Sequence, residues 1–243
     1  MVAERLLYLP DIQINIDPLS RPRYIEELLR RDGLTGIVED PNAAYCPLSL
    51  TSTPDELKPI IRRRQDVLMQ VLQEAGITAY DPGSSPFSPD AGLTIGPDEI
   101  YRVDTGRVVS ARFCVSHDIL PSTGFGEEEE VARAYNKILV ILHDEGIRTS
   151  RMQVNRSIHL QYSHFDDQAK EFVEVFRFLR QFEPGMGFNR EAPALLGFNS
   201  QGAVDLAEAV YSNFPHLKYK FDGKVPIVKF SVINPEIFRE NRR

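Results

Sequence analysis

Residues 114–142 read Cys-Val-Ser-His-Asp-Ile-Leu-Pro-Ser-Thr-Gly-Phe-Gly-Glu-Glu-Glu-Glu-Val-Ala-Arg-Ala-Tyr-Asn-Lys-Ile-Leu-Val-Ile-Leu. A short apolar run, a Pro/Ser/Gly turn, an amphipathic stretch opening on four glutamates, and a nearly all-aliphatic run follow one another. That order predicts strand, loop, helix and strand, which is one βαβ unit of a parallel sheet. The second run, 138–142, has no polar residue and is expected in the middle of the sheet, covered on both faces. In an open α/β sheet the carboxyl end of a strand and the start of the next helix form the ligand crevice, so the site is expected in this stretch.

Upstream, Ile100, Val103, Val108 and Val109 mark the apolar side of a helix that starts at Pro97 and carries Asp104 near its middle. Before it, 81–97 is dense in Pro, Gly and Ser and follows a strand expected at 77–80. A long loop at that place suits a lid or substrate wall. Thr53-Pro54-Asp55-Glu56 has the capping hydroxyl, early proline and acids of a helix start, with Ile60, Ile61, Val67, Leu68, Val71 and Leu72 facing inward as far as Gly76.

Residues 39–52 are rich in Pro, Asn, Ser and Thr and read as a loop, 34–38 as a short strand, and 22–31 as a helix stopped by Asp32-Gly33. Arg5 to Pro10 is short, apolar and ended by proline, as a first buried strand would be, and Tyr8 is the residue that could point from it into the crevice.

Downstream, 158–162 reads as a strand, 166–182 as an amphipathic helix with Phe172, Val175, Phe176 and Leu179 inward, 201–214 as a helix, and 225–233 as a closing strand. The expected architecture is α/β: a doubly wound open parallel sheet with helices on both faces and a C-terminal extension. Residues 1–155 would form the core, with an insertion at about 11–52. Residues 156–243 would be an extension of helices and a strand packed on it.

A chain of 243 residues with 42% hydrophobic content can bury a substantial core. Its net charge of −7 supplies no basic footprint for nucleic acid or an anionic membrane. Arg62-Arg63-Arg64 reads as a solvated helix face. Cys46 and Cys114 read as reduced packing residues, not as a disulfide framework or metal site. Neither a signal-peptide core nor an apolar run of membrane-spanning length occurs, which gives the expectation of a soluble cytoplasmic protein.

No dinucleotide-binding glycine fingerprint and no Walker-type Gly-Lys-Ser/Thr is present, so nicotinamide cofactors and NTP hydrolysis lose their usual support. No cofactor and no metal is expected. His159 and His164 read as solvent-facing polar side chains and not as a metal site, and Ser116 lacks a nucleophile-elbow context.

The chemistry therefore falls to acids, hydroxyls and glycines. Gly124 and Gly126 allow a tight turn and close backbone approach to a ligand. Acids at a helix start are favoured by the dipole, by roughly 0.3–1 kcal/mol each, which accounts for the four glutamates without any catalytic role. Helical facing separates them: Glu128 shares a face with Val131, Ala132 and Tyr135 and should point inward, whereas Glu127 and Glu130 should be more solvated. His117, at a strand end beside Asp118, could touch the ligand or form a structural hydrogen-bonding pair.

Asp104, Ala111-Arg112-Phe113-Cys114-Val115-Ser116, Pro121 to Glu128, Ala132 and Asn136-Lys137-Ile138-Leu139 together resemble the nucleoside 2-deoxyribosyltransferase superfamily. That superfamily includes the nucleoside 5′-monophosphate N-glycosidases. The resemblance spans about residues 58–155 and implies a flavodoxin-like fold and cleavage of an N-glycosidic bond.

Carried over, it makes Glu128 the nucleophile, Asp104 the partner that handles the proton at the leaving base, and Ser122 a substrate-binding hydroxyl suited to a 5′-phosphate. Placement of Glu128 at a helix start would favour its ionised form. Ser150 would reach the phosphate from a neighbouring subunit, which implies a homodimer or larger assembly.

The expected partner is a small-molecule nucleoside or nucleotide, with no nucleic acid and no membrane. Hydrolysis is favoured over deoxyribosyl transfer. The alternative is a non-catalytic nucleotide-binding or sensor protein on the same fold. Two departures from the family pattern are the long insertion after Tyr8-Leu9-Pro10-Asp11 and Ile138 in place of proline.

Overall fold

The computed structural model describes residues 29–49, 53–85, 88, 96–117, 123–135, 137–145, 157–181 and 201–219. Five parallel strands form one sheet in the order β2-β1-β3-β4-β5. They are β1 (Asp40–Tyr45), β2 (Thr78–Tyr80), β3 (Ala111–His117), β4 (Ile138–Asp144) and β5 (Ile158–Tyr162). The helices are α1 (Lys58–Glu74), α2 (Pro97–Ser110), α3 (Thr123–Ala134), α4 (Phe165–Arg180) and α5 (Gln201–Asn213). This is the expected open α/β sheet in flavodoxin-like order, whose direction of winding reverses between β1 and β3.

Alternation along the strands sends side chains to two different layers. Phe113, Val115, Val140, Leu142, Ile158 and Leu160 pack with α1, α4 and α5 in the larger core. Tyr45, Cys114, Leu139 and Ile141 face the other way, toward Val108 of α2 and Ala132 of α3. All seven residues of β3 and all seven of β4 are buried, which explains the continuous apolar character of 138–142.

Phe172, Val175, Phe176 and Leu179 of α4 are buried as their spacing predicts. Leu206 and Val210 of α5 join the same core. Cys46 and Cys114 are buried free thiols. Among the described residues no helix is long and apolar enough to cross a membrane.

The structure corrects several local readings. The stretch 39–52, read as a loop and as part of the insertion, contains β1. Asp40-Pro41-Asn42 supplies turn chemistry, but these three residues are the strand's exposed end, and Tyr45 is buried at the other. Conversely, 34–38 is not a strand: Leu34 is buried after a turn, whereas Val38 is 83% exposed.

Helix α1 begins at Lys58, not Thr53; Thr53 instead donates its hydroxyl to the Ser49 carbonyl ahead of a turn. Gly76 ends α1 in the left-handed region at φ 76°, where the Gly76 and Ile77 amides donate to the Gln73 and Leu72 carbonyls at 2.9 and 2.8 Å. His159 is buried in β5 and does not face solvent; its Nδ1 lies 2.8 Å from His143 Nε2. The strands expected at 5–10 and 225–233 lie outside the described residues.

Candidate active site

Three elements converge at the carboxyl end of the sheet, beside the β1/β3 reversal. Strand β1 delivers Tyr45, fully buried, on the α2/α3 face. Helix α3 delivers Glu128, half-buried, and α2 delivers Asp104, also half-buried. The Tyr45 hydroxyl donates to Glu128 Oε1 at 2.5 Å, and Asp104 is close enough to act on the same phenol electrostatically. A cleft of about 270 Å³ opens over the pair, lined by Pro97, Ile100, Val108, Gly124 and Val131 as well as the two acids.

The electrostatics set these acids apart. Burial pushes the Glu128 carboxyl up from 4.5 to about 7; the Tyr45 hydrogen bond opposes that shift, and the charges of Asp104, Glu129 and Glu127 add to it. Burial also raises Asp104, with the Tyr45 hydroxyl opposing the shift. The Tyr45 phenol is raised well above its ordinary value by its own burial and by the two carboxylates, so it stays a donor.

A phenol has one hydrogen to give, and here it goes to Glu128. The charge of Asp104 in turn disfavours ionisation of Glu128.

The expected ionisation of Glu128 by a helix dipole does not hold. Helix α3 begins at Thr123, so its first turn contains no acid and Glu128 sits in the second. Desolvation then decides its acidity. Gly124 and Gly126 are likewise helical, not turn residues, and neither has a positive φ. Nothing lies within 4 Å of the place a Cβ would take at either, and Gly124 lines the main cleft while Gly126 borders a shallower one next to it. Their contribution is open space along the helix flank.

The structure thus brings Glu128, Asp104 and Gly124 together, with Gly126 one turn-flank away. It does not bring His117 to them. Although His117 ends β3, its ring points to the opposite face, with Nδ1 3.3 Å from the Tyr162 hydroxyl and the ring edge-on to Phe165 at 4.6 Å. Of the pair Glu127 and Glu130, both are exposed as expected. Lys137, one of the residues carrying the family resemblance, pairs with Glu39 at 2.5 Å in a buried setting. Tyr8, Ser122 and Ser150 lie outside the described residues.

Two residues escaped the sequence reading. Tyr45 was hidden inside a presumed loop, although Ala43-Ala44-Tyr45-Cys46-Pro47 has the same apolar-Tyr-apolar-Pro pattern as Leu6-Leu7-Tyr8-Leu9-Pro10. Glu129 was submerged in the acidic run; Phe125 and Arg133, four residues to either side, were the signal that it faces the sheet.

Comparison of the sequence matched no family model and no curated protein. Comparison of the fold matched the CMP N-glycosidase BcmB of Clostridium botulinum, with 15% identity and a TM-score of 0.39, over 56% of this chain and 98% of that one. A likeness at that level says nothing of what this chain binds or cleaves.

Proposed function

We propose that the protein cleaves the N-glycosidic bond of a nucleoside or nucleoside 5′-monophosphate, with Glu128 as nucleophile and water as the final acceptor. The observation that carries this reading is the pair of half-buried acids, Glu128 and Asp104, lining one cleft, with Glu128 held by the Tyr45 hydroxyl.

In this mechanism the ionised Glu128 attacks the anomeric carbon as the bond to the base nitrogen breaks, and protonated Asp104 gives that nitrogen its proton. Tyr45 holds one Glu128 oxygen and leaves the other to form the glycosyl ester. Asp104, now ionised, takes a proton from water; the water oxygen attacks the anomeric carbon and expels Glu128 as carboxylate. Both acids return to their starting states. Because burial raises the Glu128 carboxyl to about 7, base release should rise with pH up to that region.

Ser122 and Ser150 belong to this proposal as phosphate contacts, the second from a partner subunit. The test is chromatographic detection of free base from a panel of ribo- and deoxyribonucleosides and their monophosphates, with and without an acceptor base. Release without acceptor identifies the hydrolase. Binding of a nucleotide with no release from any member of the panel would replace it with the sensor reading.

A further inference from the structure

Glu129, next to the proposed nucleophile, is 1% exposed, the most buried of the four glutamates. Its carboxylate does not face the cleft. Oε2 lies 3.2 Å from Arg133 Nη2 one turn along α3, and Oε1 accepts from the Ser116 hydroxyl of β3 at 3.5 Å. The Arg133 guanidinium, itself buried, continues to Glu130 at 2.9 Å and to the Ser157 hydroxyl, just before β5, at 3.4 Å. A polar brace thus runs from the carboxyl end of β3 through the second turn of α3 to the start of β5.

The brace bears on the site because Glu128 and Glu129 are consecutive. Any rotation or lift of this turn moves Glu128 away from Tyr45, whose position is fixed separately by β1. A buried carboxylate is costly unless it is paired and hydrogen-bonded, so placing one here requires Arg133 and Ser116 to hold a single arrangement. A leucine at 129 would fill the same space with no such demand on direction.

We infer that Glu129 is a positioning residue: clamped between Ser116 and Arg133, it fixes the second turn of α3 and thereby sets Glu128 against the Tyr45 hydroxyl. The inference rests on the proposed role of Glu128 but has a readout independent of turnover. The groups that act on Glu128 are Tyr45 from β1, Asp104 from α2, Cys114 from β3, and Glu127 and Glu129 from its own helix. Removing the Glu129 charge removes one like charge and leaves Arg133 less neutralised; both changes favour ionised Glu128.

The experiment therefore compares wild type with Ser116→Ala and Arg133→Lys, neither of which removes that charge, by ¹³C NMR titration of glutamate carboxyls, with the Glu128 signal assigned by its loss in Glu128→Gln, together with base-release kinetics. Because the Tyr45 hydrogen bond holds the Glu128 value down, a turn released from the brace should raise the Glu128 midpoint by roughly half a pH unit. If base release is found, kcat should drop about tenfold with KM within about twofold. Arg133→Lys keeps the positive charge but not the planar fork, so a rise there reports geometry and not lost charge. An unchanged midpoint in both folded variants overturns the inference whether or not the wild type is active. Absence of base release in wild type overturns the functional reading instead and leaves the titration to decide this one.

Discussion

Two clusters of polar side chains sit at the same edge of the same sheet, on opposite faces, and are built in opposite ways. On the α2/α3 face, Tyr45, Glu128 and Asp104 put two acids against one phenol, with no cation at hydrogen-bonding distance among the described contacts, under an open cleft. On the α1/α4 face, the last residues of β3, β4 and β5 are His117, Asp144 and Tyr162. There Arg64 neutralises Asp144 at 2.5 Å and also donates to the Tyr162 hydroxyl at 3.2 Å, while Phe165 covers the His117 ring.

The second cluster is a charge-neutralised structural joint tying α1 to two strand ends, with His117 Nε2 its one buried polar atom lacking a partner among the described contacts. The first retains an uncompensated excess of acid. Buried charge that a protein neutralises serves cohesion; buried charge that it leaves unneutralised beside a cavity is kept against stability and is a candidate for chemistry.

The largest expected contrast is in the effect of removing one acid from each cluster. Glu128→Gln should reduce base release by about a thousandfold or more, since it removes the proposed nucleophile. Asp144→Ala should instead destabilise the fold by roughly 3–5 kcal/mol in urea titration, because it leaves the Arg64 guanidinium buried without its counter-charge. Similar losses of stability in both variants would erase the distinction.

Tyr45→Phe separates position from charge. It removes the hydroxyl that donates to Glu128 and keeps the ring that stacks on Tyr80 at 5.8 Å. We expect kcat to fall about 10- to 100-fold, and the acid limb of the pH profile to move up, because the phenol is the interaction that holds the Glu128 value down. A limb that moves down would reverse the assigned direction of that hydrogen bond.

How the sequence foreshadowed this contrast differs between the two sides. The βαβ unit, the interior place of 138–142 and the inward face of α4 were legible because periodicity directly encodes burial. The inward facing of Glu128 was legible through helical periodicity, whereas Asp104 was singled out only by the family resemblance. Tyr45 was not, because Asp40-Pro41-Asn42 carries every local sign of a turn, and only pairing with β2 and β3 makes the segment a strand. The start of α3 was also misplaced: Pro, Ser, Thr and Gly suggested a loop until 126, and that shift of one turn removed the dipole argument for Glu128. The joint on the α1/α4 face was invisible for another reason. Arg64, read as solvated in a run of three arginines, is 6% exposed, and its partners come from strands 80 and 98 residues away.

The smallest effect is the most direct test of the contrast, because the two faces bias stability in opposite directions with pH. Glu128 has a folded value raised from 4.5 to about 7, so its contribution is complete below 4.5 and is lost as pH rises to about 7. Glu128→Gln should therefore be more stable than wild type at pH 8, by roughly 1–2 kcal/mol, and about equal to it at pH 4. His117 is lowered from 6.5 to about 3, by burial and then by the Arg64 charge, so its contribution is complete above 6.5 and is lost as pH falls toward 3. His117→Gln should remove up to about 1.4 kcal/mol per pH unit from the acid slope across that interval, leaving the part contributed by His143, which is also lowered to about 3. The two variants thus flatten opposite limbs of one stability profile. Denaturant titrations at pH 4, 6 and 8 resolve both slopes, and a Glu128→Gln protein that loses stability at pH 8 would show that its carboxylate is compensated after all.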